Sequence, residues 1–371
     1  MVQPGQDRRV AIAHEWLVRY AGSERCVAEI LAAYPDARIL TTLVVPEALP
    51  EALRSAEPSV LQRIPGATSH HEWLLPLMPA AWRERRPITD VDVVISSAHA
   101  CAKAVRIGRG IPHLCYCHTP MRYAWDFESE AWRFPPALRS SASVAMRWFR
   151  KWDARTAANV DRFVANSHAV ADRIKRFYDR SAEVIHPPVR TDYFSGDAGV
   201  ERTTDFLFVG RLVSYKRPDL VIDAFSQLPY RLLVVGRGQM EAQLRRDATA
   251  NVTFLGEVDD AELRDLYRRC RALVYPGDED FGIVMAEAQA CGLPVIGLDR
   301  GGARDIVHEG ETGWLVAGQT TAELVAAVTR AADDELDSEL ISARAQRFSS
   351  DRFREQIRVA VEELVAGHGR R

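Results

Sequence analysis

The stretch ALVYPGDEDFGIVMAEAQACGLPVIGLD, residues 272–299, reads as strand, loop, helix, turn and strand. Its apolar runs ALVYPG (272–277) and PVIGLD (294–299) do not alternate as a half-exposed strand does. They match strands covered on both faces. Two such strands joined by a helix form a parallel βαβ unit. The same rhythm continues outward through FLFVG (206–210), RLLVVG (231–236) and VTFLG (252–256). In the first half it runs through VAIAHEW (10–16), RILTTLVV (38–45), VDVVISS (91–97), HLCYCH (113–118), RFVANS (162–167) and AEVIHPPV (182–189). The expected fold class is α/β, with two doubly wound Rossmann-like domains facing each other across a cleft that takes the ligand.

Between the two sets, HPPVRTDYFSGDAGVERTTD (186–205) interrupts every period with prolines, glycines and scattered charges, and reads as the linker. The expected domains are 1–190 and 191–350, followed by a helix over 351–371 that returns to the first domain. That helix has a start signal at Ser350 and Asp351 and an apolar stripe through Phe353, Ile357, Val361 and Leu364.

The chain has 371 residues, 47% of them hydrophobic and 27% charged, with a formal net charge of -3. That balance excludes a strong general field for nucleic acid and favours small or neutral ligands. The six cysteines read as reduced thiols. The start, MVQPGQDRRVAIAHEW, shows no signal-peptide core, and no 18-residue apolar run occurs. The expected location is cytoplasmic, with peripheral attachment at the inner face of the plasma membrane left open.

Glu279 lies in the loop of the opening stretch, and Glu287 lies in the helix expected to begin near Phe281. At ~1.5 Å rise per residue Glu287 would sit roughly two turns in, so the carboxylates would grip points on the order of 10 Å apart. The amides around Phe281, Gly282 and Ile283 would face an anion, and Gly282 would let it approach closely. Carboxylates beside a phosphate site suit sugar hydroxyls, so the ligand expected carries phosphate and sugar. The competing reading turns Glu287 to solvent and makes Glu279 a helix cap. Just after Gly210, Arg211 and Lys216 can converge on a diphosphate, although either alone reads as a solvated surface charge.

In the first half, His118 ends an expected strand and would project from its carboxyl end; a histidine bonding a backbone carbonyl is the bland alternative. His113, Cys115, Cys117 and His118 suggest zinc only superficially, since alternation sends neighbouring strand residues to opposite faces. Gly22 and Ser23 stand at a helix start. Residues 139–155 carry Arg139, Arg147, Arg150, Lys151 and Arg155 against one acid, Asp153, interleaved with Val144, Met146, Trp148, Phe149 and Trp152. Such a helix can lie on anionic lipid or pack on its own domain with a solvated basic face.

VGRLVSYKRPDLVIDAF, VVGRGQMEAQL, VTFLGEVDDAELRDLYRRC and EDFGIVMAEAQACGLPVIGLDRGGARDIVHEGETGWLV together closely resemble the family 4 retaining glycosyltransferases, over nearly the whole chain. The resemblance implies the GT-B fold, a nucleotide-sugar donor in the second domain and an acceptor site in the first. It implies that Arg211 and Lys216, after Gly210, neutralise the donor diphosphate. Glu287 would hold the ribose hydroxyls and Glu279 those of the transferred hexose. The amides of Phe281, Gly282 and Ile283 would meet the distal phosphate, and VTFLGEV would line the base pocket. His118 would contact the donor sugar or its phosphate, Met121 to Trp125 would shape the sugar contacts, and Gly22 would belong to a phosphate or acceptor loop. The family usually has two glycines in that loop; Ala21 replaces the first, which leaves its role open.

ISSAHACAKAV (95–105) and HTPMRYAWD (118–126) further resemble a bacterial branch of mannosyltransferases that use GDP-mannose and build surface polysaccharides. The implied reaction moves an α-mannosyl group from GDP-mannose to a saccharide or lipid-linked saccharide, with no cofactor and no required metal. Other GDP-, UDP- or dTDP-hexoses are the alternatives. A nucleotide-sugar epimerase or hydrolase, and a sensor that binds the donor without turnover, are the rivals.

Overall fold

The structure, a computed structural model, describes residues 8–125 and 139–369. Its contacts divide the chain into Met1–Pro188 with Asp351–Arg371, and Val189–Ser350. Each unit is built on one six-stranded sheet whose pairings are all parallel.

In the first unit the strands are β1 (Val10–His14), β2 (Arg38–Thr41), β3 (Val93–Ala98), β4 (His113–Cys117), β5 (Arg162–Ala165) and β6 (Ala182–Val184). Their order is β2-β1-β3-β4-β5-β6. The helices are α1 (Gly22–Ala33), α2 (Met78–Glu84), α3 (Arg122–Trp125), α4 (Arg139–Ala157) and α5 (His168–Tyr178). The second unit has β7 (Phe206–Val209), β8 (Leu232–Val235), β9 (Val252–Gly256), β10 (Ala272–Tyr275), β11 (Val295–Leu298) and β12 (Gly313–Val316), in the order β12-β11-β10-β7-β8-β9. Between them run α6 (Pro218–Phe225), α7 (Glu241–Asp247), α8 (Asp260–Arg269), α9 (Ile283–Ala290) and α10 (Ala303–Ile306). Then come α11 (Thr321–Asp333) and α12 (Ser338–Ala345), and finally α13 (Ser350–His368).

Central strands FLFV, LLVV, ALVY and VIGL are buried at every position, as strands with helices on both faces must be. Edge strands β6 and β9 are only partly buried, which is why AEV and VTF tolerate polar residues. Most strands stop short of their apolar runs. After β1 ends at His14, Trp16 and Leu17 stay buried because the following loop turns into the core. Strand β12 had no counterpart in the sequence reading: GWLV is a run of four behind the polar HEGET, too short to show a period.

The last helix packs on the first unit. Phe353, Ile357, Ala360 and Val361 join the cluster that contains Val10, Ile12 and Tyr116, and the Phe353 ring meets Tyr116 edge-on at 5.4 Å. Arg354 reaches Glu29 of α1, and Arg8 reaches Glu362.

Each sheet reverses its strand order once, between β1 and β3 and between β7 and β10. Strands that turn away from each other leave a crevice beyond their carboxyl ends, and ligands of doubly wound sheets bind at such a point. The residues after β1, β3, β7 and β10 are therefore where chemistry is expected.

Candidate functional site

In the second unit, β7 delivers Gly210 and Arg211 to this edge, and a short turn at Ser214–Lys216 brings Lys216 back over it. Strand β10 ends at Tyr275 and releases the loop 276–282. The two meet. The Lys216 ammonium donates to Glu279 Oε1 at 2.5 Å and also to the Tyr275 hydroxyl, while that hydroxyl donates to the same Glu279 oxygen at 2.7 Å. Burial first, and then Glu279, hold the Tyr275 phenol well above its ordinary pKa, so it remains a donor to the carboxylate. Arg211 is exposed and donates to the Tyr215 hydroxyl at 2.9 Å.

The loop is fixed by glycines opposite it. A Cβ at Gly301 would lie 2.3 Å from the Glu279 carbonyl oxygen, and one at Gly302 would lie 2.2 Å from that of Phe281. The Gly302 amide donates to Glu279 O at 2.9 Å. Only hydrogen in place of a side chain allows that approach. Gly282, at φ +95°, is the N-cap of α9, and a Cβ there would strike Met285 at 2.2 Å.

Helix α9 begins at Ile283, later than the sequence suggested, because Phe281 is committed to the core and packs edge-on against Phe348 at 5.3 Å. Gly282 and Ile283 thus head the helix, while Phe281 precedes it. Glu287 becomes the fifth helical residue, about one turn in rather than two. It is buried at 5% exposure, not turned to solvent, and Glu279 does not cap the helix, whose cap has no side-chain bond. At the sheet edge β9 contributes Val252 to Leu255, all half-buried, and its Gly256 carbonyl accepts from the Gly236 amide at 2.6 Å.

In the first unit, β1 ends with His14 in register with Ser97 of β3. The His14 Nδ1 donates to the Ser97 carbonyl at 2.9 Å, and its Nε2 lies 3.7 Å from Glu24 Oε1. The other Glu24 oxygen accepts from the Ala21 amide at 3.1 Å, which ties the start of α1, with Gly22, to the end of β1. Burial opposes both charges, but the pair outweighs it: His14 lies above its ordinary range and the Glu24 carboxyl falls to about 2.

Glu15 is wholly buried and accepts the amides of His99, Ala100 and Ala102 at 3.2, 2.8 and 3.0 Å. Its other oxygen is 3.4 Å from His99 Nδ1. His118 follows the last residue of β4 and bonds the Ser97 hydroxyl through Nε2 at 2.8 Å, not a backbone carbonyl. The ring centroids of His14, His99 and His118 are 6.3 to 6.4 Å apart. Burial, then His14 and His99, push the His118 pKa down to about 3, so the ring is neutral and can both donate and accept a hydrogen bond.

Sequence reasoning singled out His118 and passed over His14, Glu15, Glu24 and His99, which the fold gathers beside it. The signal available was HEW at the end of an apolar strand run, the same switch-point argument that singled out His118. In the segment after His118, Met121 and Ala124 are buried, and the Trp125 indole donates to Asp153 at 2.7 Å. Asp126 of HTPMRYAWD and residues 127–138 lie outside the described residues, as do the side chains of Tyr123 and Arg139.

His113 and Cys115 do not converge with His118, because His113 is spent on Ser96 and Asn159. The loop 277–282 does contain an Asp-x-Asp spacing, Asp278 and Asp280, which the metal-free expectation passed over. Among the described residues no group of histidine, cysteine, aspartate or glutamate has a metal-holding arrangement.

Residues 20–193 match the profile of Glycosyltransferase Family 4, and residues 192–348 match that of Glycosyl transferases group 1. A D-inositol 3-phosphate glycosyltransferase of Rhodococcus opacus is 32% identical over 250 residues, covering 57% of this chain and 56% of its own. That of Rhodococcus erythropolis is 36% identical over 213 residues, 47% of this chain and 48% of its own. The chain thus spans about half the length of the curated relatives it matches. Among solved structures, Anabaena HepE in complex with UDP-glucose has a TM-score of 0.71 at 19% identity, over 96% of this chain and all of that one. Sucrose-phosphate synthase of Thermosynechococcus elongatus has a TM-score of 0.70 at 19% identity, over 97% of this chain and 100% of its own. These likenesses identify the fold as GT-B.

Proposed function

We propose that this chain, a member of the family 4 glycosyltransferases with the GT-B fold, transfers a hexosyl group from a nucleotide sugar to a saccharide or lipid-linked saccharide with retention. The observation that carries the reading is the β7/β10 switch point, where Arg211, the Lys216–Glu279–Tyr275 cluster and the head of α9 share one edge.

In this reading Arg211 and Lys216 meet the diphosphate after Gly210, and the amides of Gly282 and Ile283 meet its distal phosphate. Glu279 orients Lys216 and takes hydroxyls of the hexose, while Glu287 takes those of the ribose. The bond from the anomeric carbon to the diphosphate breaks as the acceptor oxygen bonds that carbon on the same face. The acceptor proton passes to the departing phosphate oxygen. Cations held against that oxygen stabilise the charge that develops there, so neither cofactor nor metal is required. From the first unit, His118 supplies a neutral hydrogen-bonding group to the donor sugar or its phosphate, and Gly22 an approach at the head of α1.

Mannosyl transfer from GDP-mannose, in cell-surface glycan synthesis at the cytoplasmic face of the membrane, is our leading donor assignment. Its support is the resemblance of ISSAHACAKAV and HTPMRYAWD to that branch. A UDP-hexose is the second reading, favoured by the solved neighbour whose complex holds UDP-glucose. Calorimetric titration with GDP, UDP, ADP and dTDP, then GDP-mannose and GDP-fucose, each with and without a chelator, separates them. Metal-independent preference for GDP and then GDP-mannose is expected. Preference for UDP removes mannose, loss of binding with chelator removes metal independence, and no nucleotide binding removes the enzyme reading. Turnover distinguishes a transferase from a sensor.

A further inference from the structure

Helix α4 sets a buried face against an exposed basic one. Its inward face is Met146, Phe149, Asp153, Thr156 and Ala157, all buried. Asp153 accepts from the Trp125 indole at 2.7 Å and the Tyr178 hydroxyl at 2.6 Å, and pairs with the buried Lys103 ammonium. Arg150 donates to the Ala124 carbonyl, so it belongs partly to this inward side and not with the outer cations. These bonds fix the rotation of the helix and turn its acid, Asp153, inward.

The opposite face is then determined. Val144 and Trp148 are 57% and 56% exposed, and Arg147, Lys151 and Arg155 are exposed beside them. Positions 144, 147, 148, 151 and 155 recur at helical spacing and form one stripe. The stripe has three cations, an indole, an isopropyl group and no acid, on a chain whose net charge is -3. Trp148 meets Phe149 edge-on at 5.1 Å yet leaves most of its indole in water beside Val144, apolar surface that solvation of the cations does not use. Nucleic acid would be attracted by the cations but opposed by the chain's overall charge, and a valine at the contact would gain nothing from phosphate. Cations interleaved with an indole and an aliphatic group match the boundary between anionic headgroups and acyl chains.

We propose that the Val144–Arg155 stripe of α4 docks this protein on an anionic lipid bilayer. The proposal deepens the lipid-linked acceptor reading and rests on it only for its purpose. Because Arg150 and Asp153 hold Ala124 and Trp125 from the inward side, the docked helix is tied directly to the segment that leaves His118. A lipid-borne acceptor would be presented to the same unit that carries that imidazole.

The test is flotation of the full chain with vesicles of phosphatidylcholine alone and of phosphatidylcholine mixed with phosphatidylglycerol. Binding to the anionic vesicles, weakened by salt, is expected. With about one kcal/mol per cation near the surface, the triple variant Arg147→Gln, Lys151→Gln, Arg155→Gln should lose roughly 100-fold in partitioning. Trp148→Ala should weaken binding that survives high salt. Both variants should keep the thermal midpoint and transfer to a soluble acceptor, since none of these side chains is in the donor site. Absence of binding to anionic vesicles, binding unchanged in both variants, or capture of duplex DNA in preference to vesicles would each overturn the proposal. Any of these with transfer intact leaves the enzymatic reading standing, and vesicle binding without nucleotide binding does the reverse.

Discussion

The two switch points gather charge to opposite ends. At β1/β3, His14, Glu15 and Glu24 are closed off from solvent, and their charges answer one another and nearby backbone amides. At β7/β10, Lys216 and Glu279 keep 13% and 18% of their side chains exposed, and Arg211 lies open. A buried set cannot trade partners without leaving a charge stranded in a poor solvent, whereas a set that reaches solvent can exchange a protein partner for a ligand oxygen. The first edge is built as a frame, while the second has the exposure that the proposed role as a receptor needs. The same topological position therefore gives different consequences on mutation.

The largest effect expected is on the frame. Glu15→Ala removes the acceptor of the His99, Ala100 and Ala102 amides and leaves His14 with Glu24 alone. Breaking a buried charged network costs about 3–5 kcal/mol, read as a shift in urea midpoint. Glu15→Gln keeps the shape and the acceptor oxygen but not the charge, so a smaller loss is expected and guards against a chain that does not fold. Nucleotide binding by Glu15→Gln should be unchanged. Loss of nucleotide affinity without loss of stability would erase the distinction between frame and receptor.

Next is the receptor. Lys216→Ala should lower kcat by about 10²–10³, the effect of removing a preorganised donor from a developing oxyanion, with little change in stability. Glu279→Ala should impair transfer and sugar discrimination, and Glu287→Ala should weaken bare nucleotide binding. Because Lys216 bonds Glu279 directly, the double variant should lose less than the sum of the single losses. Strict additivity would contradict the pairing, and equal loss of bare nucleotide affinity in the two glutamate variants would contradict their division of roles.

This contrast also explains what the sequence could disclose. Arg211 and Lys216 lie within one turn after β7, and Glu279 and Glu287 within one loop and helix, so each local signal pointed to a ligand. The Lys216–Glu279 bond was not legible, since it joins segments 63 residues apart through the β7/β10 pairing. The frame was less legible still. His14, His99 and His118 approach one another only because β1, β3 and β4 are neighbours, and Glu24 joins them from α1. Asp153 is the sharpest case: in sequence it tempers a basic helix, and in the fold it leaves the basic face entirely. The late start of α9 followed from Phe281, an apolar residue whose place in the core no local propensity reveals.

The smallest effect expected tests burial at the other end of the same sheet, through pH. His113 opens β4, buried, with Nδ1 donating to the Asn159 carbonyl at 3.2 Å and Nε2 accepting from the Ser96 hydroxyl at 2.8 Å. That arrangement uses both nitrogens of the neutral ring, and burial pushes the pKa down to about 4. An unfolded histidine titrates near 6.5, so between those values the unfolded chain binds a proton that the folded chain refuses. Stability must then fall as pH falls through this window, by about 1.4 kcal/mol per pH unit for one group. Above the window His113 contributes no slope. Urea unfolding at pH 7, 6 and 5 should show a wild-type slope steeper than that of His113→Gln by about one proton. His99 and His118, also held below their ordinary values, contribute equally to both proteins and cancel in the comparison. Parallel slopes would mean that His113 is hydrated and titrates normally in the folded protein, and the account of a buried neutral ring shared between Ser96 and Asn159 at the start of β4 would fail.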